Sequence, residues 1–280
     1  MVTRTIKTDV VLVFTLLFSV YCDGQTSLKN PSRSSFERGD SLFTLGLYPD
    51  ALTCFRRSLS QHPSTPLKAV VYSRMARIFA LERNKPEALA SLDSAAASSY
   101  YNLREMDSLP DFASIREDAH FKDIRQRVYA TLYPCMVDPH AREFDFWIGE
   151  WEVYLTGTSN YQGHSLIQSI AGGCALLENW DSQNSTGKSI NYVDPVTNRW
   201  KQCWAGSYAG GIQEFVNGRY ADSAMRFEFQ STDAQGNKTI GRFIFYNQGP
   251  DQVRQFNETS ADGGKTWVAS YDLTYRRRKQ

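Results

Sequence analysis

The sequence has no excess of either charge: Lys+Arg number 31 and Asp+Glu 30 among 280 residues. A nucleic-acid-binding face needs a basic surplus, so nucleic acid is not an expected partner. Past the N-terminal segment there is no apolar run of about 20 residues, the length that crosses a bilayer, and no membrane span is expected in the mature chain. Histidine is scarce: the four residues His62, His120, His140 and His164 share no ligand spacing, and no CxxC occurs. No metal and no cofactor are expected, and haem is disfavoured because no His follows His164. G-x-S-x-G, a P-loop and a G-x-G-x-x-G in strand–helix context are missing too. With 41% hydrophobic and 22% charged residues, the chain reads as globular, with room for one or two cored domains.

The first residues read as an address. Arg4 and Lys7 precede the apolar run Val10–Val20, and Cys22-Asp23-Gly24 offers small residues at −3 and −1. This is the pattern of a secretory signal peptide over 1–24, with the mature chain starting at Gln25. Tyr21 is large where a lipoprotein signal wants a small residue before its cysteine, which argues against acylation of Cys22. The expected address is export, to a bacterial periplasm or beyond the cell. Export permits disulfides. Of Cys54, Cys135, Cys174 and Cys203, export favours bonding Cys135 to Cys174, which would tie the segment just after Pro134 to the start of a later strand. Buried free thiols are the other reading.

Residues 31–131 carry a helical period and repeat. Tyr48-Pro49-Asp50-Ala51-Leu52 returns as Lys85-Pro86-Glu87-Ala88-Leu89, with Ala51 and Ala88 37 positions apart. That is a solenoid-type period. Gly39 and Leu42 upstream of the first unit answer to Ala76 and Phe79 upstream of the second. The pattern resembles tetratricopeptide repeats, with Ala51, Phe55, Ser58 and Pro63 at the family's places, and two roles stay open for it: a groove for a protein partner, or a helical scaffold that packs on its neighbour. A third unit, Asp107–Phe121, resembles a capping segment in which Phe112, Ile115 and Phe121 close the core edge.

Composition changes after Pro134, beyond which all six Trp lie. Short alternating runs at even spacing predict about ten strands, from Glu150–Leu155 to Thr266–Tyr275. Turns are expected at Asp194-Pro195, Asn217-Gly218, Gln235–Asn237, Gln248–Pro250 and Asp262–Gly264. The whole is expected to be α+β in two domains, a short helical-repeat solenoid and then, over 140–278, an antiparallel meander closed into a barrel.

Phe144-Asp-Phe-Trp147-Ile-Gly149-Glu-Trp151 resembles the opening of a family of calycin-like, lipocalin-like barrels in exported bacterial proteins. Gly173-Cys174-x-Leu176-x-Glu178-x-Trp180, Asn191-Tyr192-x-Asp194-Pro195, Trp200-x-Gln202-x-Trp204 and Ser260-x-Asp262-Gly-Gly264 continue the likeness. The resemblance implies that Trp151 closes the barrel floor under a basic residue of the last strand, for which Arg276 is the candidate. Asp262 fits an Asp-box turn.

Polar residues recur on the apolar side of several strands, and such groups either satisfy one another or face a ligand. Glu178, Ser189, Asn191, Gln202 and Gln255 are the expected ligand-orienting residues, and Trp180, Tyr192 and Trp204 the apolar wall. Three functions stay open: a non-enzymatic barrel holding a small, partly apolar ligand; a hydrolase or isomerase with Glu178 as acid/base, paired in one version with Glu214; and a filled barrel serving protein contact alone.

Overall fold

A computed structural model describes residues 30–207, 211–232 and 235–279. The expected signal peptide, residues 1–24 with Cys22, lies outside them. By internal contacts the chain divides into two compact units, one ending at Pro63 and the other beginning at Ser64.

The first unit is a helical hairpin of α1 (Pro31–Thr44) and α2 (Tyr48–Ser60). Asn30 caps α1, its side chain accepting from Ser32 N, and prolines stand in the first turn of both helices, where their missing N–H costs nothing. Phe36 packs on Phe55, ring centroids 6.0 Å apart, and the buried Ser58 hydroxyl donates to Ser32 O at 2.7 Å.

The second unit opens with another hairpin, α3 (Thr65–Leu81) and α4 (Lys85–Ala97), followed by α5 (Leu103–Ser108) and α6 (Ala119–Leu132). Phe112, Ile115 and Phe121 are all buried. Arg77 pairs with Asp111 at 2.6 Å and Lys85 with Asp118 at 2.8 Å, fixing the segment before α6 to the α3–α4 hairpin. Among the described residues no helix is long and apolar enough to cross a membrane. After α6 come the single turn α7 (Pro134–Val137) and two 3-10 turns, His140–Arg142 and Asp145–Trp147.

Ten strands complete the unit: β1 (Gly149–Leu155), β2 (Tyr161–Ile170), β3 (Ala175–Asp181), β4 (Thr186–Asp194), β5 (Arg199–Gly206), β6 (Ile212–Ala221), β7 (Ala224–Thr232), β8 (Lys238–Asn247), β9 (Gln252–Ser260) and β10 (Val268–Arg277). Each pairs antiparallel with its neighbours in sequence, and β1 also pairs with β10, so the meander closes into a barrel without an edge. The architecture is therefore α+β, a helical N-terminal half and a ten-stranded barrel. Alternation sets the inside: Met225, Phe227 and Phe229 are buried while Glu228 and Gln230 are exposed.

The segment ahead of β1 plugs one end. Phe144 stacks on Trp147 at 5.1 Å, and both meet Phe245, at 5.0 and 4.6 Å. Trp151 joins them, its Nε1 donating to Trp147 O at 2.8 Å.

Arg276 and Asn217-Gly218 do not stand where the sequence puts them. The residue over Trp151 is Arg277, 4.2 Å from the ring centroid, whereas Arg276 lies over Tyr154 at 4.6 Å. The ladder explains the shift: Trp151 is opposite Arg277 and Glu152 opposite Arg276, and opposed residues share a face. Asn217-Gly218 is not a hairpin turn. Asn217 has φ of 56° and sits within β6, where the pairing slips between Val216 and Arg219, so its left-handed backbone makes a bulge. The hairpin turns at Asp222-Ser223, with φ of 48° and 54°, between the paired Ala221 and Ala224.

Candidate functional site

Inside the barrel, beyond the aromatic plug, the chain places polar residues among large aromatic ones. Three strands send every second residue inward: Leu176-Glu178-Trp180 on β3 and Trp200-Gln202-Trp204 on β5, each with a polar residue between apolar ones, and Tyr275-Leu273-Tyr271 on β10. Together with Phe215, Phe243 and Gln255, their outer members line a cavity of about 230 Å³. Its inner end rests on Tyr275, which packs edge-on against Trp147 at 6.1 Å and Trp151 at 6.5 Å.

Glu178 is the centre of the polar part and is 3% exposed. Its Oε1 accepts from Ser165 Oγ and its Oε2 from Ser189 Oγ, both at 2.9 Å. Ser189 is a hub: its oxygen also accepts from Asn191 Nδ2 and Gln202 Nε2, each at 3.0 Å. The register makes this possible, since Glu178 is opposite Ser189 and Asn191 opposite Gln202. Burial pushes the Glu178 carboxyl up to about 7, against the pull of hydrogen bonds from Ser165, Ser189 and Tyr275. Desolvation, with the negative charge of Glu178 beside them, raises the hydroxyls of the buried Tyr275 and of Tyr271, whose side chain is partly open to solvent, above the usual tyrosine range.

Among the described residues several buried side-chain polar atoms lack a hydrogen-bond partner, and two of them, Asn191 Oδ1 and Gln202 Oε1, belong to this cluster. An unpaired buried amide oxygen costs about 1–3 kcal/mol, and Gln202 lines the cavity.

Both cavity tryptophans lie over glycines of neighbouring strands. A Cβ on Gly163 would stand 2.8 Å from the Trp180 ring, and one on Gly187 would collide with the Trp204 ring. These two close approaches hold each indole along the wall and keep the space between them open.

Of the residues named from sequence, Glu178, Trp180, Gln202, Trp204 and Gln255 line the cavity. Ser189 and Asn191 stand behind them, holding Glu178 and Gln202. Tyr192 does not belong to the wall: Ser189 and Asn191 point inward, so Tyr192 between Asn191 and Val193 points outward, where it neighbours Lys201 and Cys203. Glu214 is likewise outside, because Phe215 is the buried member of its strand pair, and the Glu178–Glu214 acid/base pair does not form. Phe215, Phe243, Tyr271, Leu273, Tyr275 and Ser165 went unnamed from sequence. Tyr271-x-Leu273-x-Tyr275 alternation carried a signal for three of them.

Cys135 and Cys174 are joined by a disulfide across 39 residues, linking α7 to the 3-10 turn before β3. Arg142 Nη2 donates to Gly173 O beside it. Cys54 and Cys203 are free thiols. Asp262 organises its hairpin, Oδ1 accepting from Lys265 N at 3.0 Å and Thr266 N at 2.9 Å. Among the described residues no three His, Cys, Asp or Glu side chains gather in the manner of a metal site.

No protein-family model matches the chain, and no curated protein matches it.

Proposed function

We propose that this is an exported, non-enzymatic protein whose barrel holds one small, partly apolar molecule. The ligand's polar end sits on Glu178 and Gln202, and its apolar body lies between Trp180 and Trp204. The observation that carries this reading is the cavity itself, about 230 Å³ walled by Trp180, Trp204, Phe215 and Phe243 with Glu178 and Gln202 among them; an aromatic pocket with a few convergent polar groups is the form a small-ligand site takes. The calycin-like resemblance supports the same use of the barrel interior, and the Cys135–Cys174 bond suits an oxidising compartment. In this reading the helical hairpins, as tetratricopeptide-like repeats, present the protein to a partner.

Native mass spectrometry of the purified chain tests it: a stoichiometric small molecule should survive with the protein and leave on denaturation. Failure of small apolar probes to change tryptophan emission, with no retained mass, would sink the reading.

One observation favours a second reading. A carboxyl near 7 suits proton transfer at neutral pH, which would make Glu178 the acid/base of a barrel hydrolase or isomerase. Turnover abolished by Glu178→Gln, with ligand affinity kept, would establish that reading in place of the first.

A further inference from the structure

Resting on the small-ligand reading above, we infer that the barrel selects a small cation, a primary ammonium carried on a single aromatic ring. The accounting of donors leads there. The hydroxyls of Ser165 and Ser189 are turned to Glu178, and Gln202 Nε2 is turned to Ser189. What these side chains leave for a ligand is acceptor capacity, the remaining lone pairs of the cavity-lining Glu178 carboxyl. A molecule that complements them brings donors.

Charge points the same way. The cavity is lined by one carboxyl and by no Lys, Arg or His. The other titratable groups facing Glu178 are Tyr271 and Tyr275 of β10, and both are held protonated. An anion entering this site meets no countercharge. A cation meets a desolvated carboxyl and the rings of Trp180, Trp204, Phe215, Phe243 and Tyr271, whose faces attract positive charge.

Size sets the rest. An apolar cavity of about 150 Å³ accepts benzene, and this one measures about 230 Å³. One ring and a short amine-bearing chain fill it, whereas a long acyl chain or a macrocycle does not fit.

The test uses the full chain and three isosteres, 2-phenylethylamine, 2-phenylethanol and phenylacetate, titrated calorimetrically at pH 8 and pH 6. The amine should bind at least about tenfold tighter than the alcohol at pH 8, and phenylacetate should not bind. Ionised Glu178 is the attracting form, so the amine's affinity should fall about tenfold from pH 8 to pH 6. The alcohol's affinity should not change. Glu178→Gln should abolish the amine's advantage; if that variant does not fold, the pH series on the unaltered chain decides. An alcohol that binds as tightly as the amine, an amine whose affinity ignores pH, or binding of phenylacetate overturns the cation assignment and leaves the small-ligand reading standing. No binding by any of the three, with unchanged tryptophan emission, overturns both.

Discussion

Arg277 lies over the face of Trp151, 4.2 Å from the ring centroid, and its Nη1 donates to Ile148 O at 3.2 Å. The last strand thus clamps the first at the plugged end of the barrel. Nε of the same guanidinium donates to Pro250 O at 2.5 Å, so one side chain ties β10 to the residues just ahead of β1 and to the β8–β9 turn.

That geometry separates two adjacent arginines. Arg277→Ala should lower stability by about 1–2 kcal/mol, the worth of a partly desolvated cation–π contact and its hydrogen bonds. Arg276→Ala, on the outer face, should cost less, about 0.5 kcal/mol, the worth of its exposed contact with Tyr154. Urea unfolding of both variants checks this, and the reverse order would contradict the register.

Ser189 and Gln202 should differ in the same way. Ser189→Ala removes the atom that serves Glu178, Asn191 and Gln202 together, and should cost about 2–3 kcal/mol because buried polar groups lose their partner. Gln202→Leu breaks one bond and also deletes an unpaired oxygen, so about 1 kcal/mol or less is expected. Equal melting temperatures for the two variants would show that Ser189 is no hub.

Glu178 should make stability pH-dependent with a defined sign. Its folded-state carboxyl is raised from 4.5 to about 7. The neutral form therefore favours the fold; its contribution is complete below the unfolded value and is lost as pH rises through about 7. Glu178→Gln does not titrate, so relative to the unaltered chain it should gain about 3 kcal/mol between pH 4.5 and pH 8. Denaturant midpoints at the two pH values measure the gap, and a gap that stays constant with pH refutes the raised carboxyl.

Gly187→Ala should be costly where alanine in a strand is ordinarily an improvement. The added methyl collides with the Trp204 ring, and relieving such overpacking costs about 1–3 kcal/mol. Tryptophan emission should change and small probes should lose affinity, while far-UV circular dichroism stays that of the barrel. Unaltered emission would mean that Trp204 does not lie where Gly187 admits it.

Reducing the Cys135–Cys174 bond opens a loop of 39 residues and should lower stability by about 3–4 kcal/mol on the chain-entropy account. A double Cys→Ser variant should show the same loss and no further response to reductant. A parent melting temperature indifferent to reductant would count against the bond.

The sequence by itself determined the order of the elements and the two-part, α+β architecture, because helical and strand periods are local properties of side-chain spacing. Alternation also identified the inward faces, and so put Glu178, Trp180, Gln202 and Trp204 on the inside of their strands. What it left undecided depends on pairing between distant strands. Arg276 and Arg277 are equally basic and adjacent, and only the β1–β10 register, opposing Trp151 to Arg277, chooses between them. Asn217-Gly218 has the composition of a turn, but continued pairing of β6 with β7 on both sides of it made a bulge instead. Tyr192 stands next to the inward-facing Asn191, so strand alternation turns it away from the wall. The cavity itself exists only on closure, which brings Tyr271 and Tyr275 of β10 against Glu178 of β3, across almost a hundred residues of chain. Whether a buried carboxyl is packed shut or left beside open space is set by the shape of the rings around it, and no spacing along one strand encodes that shape.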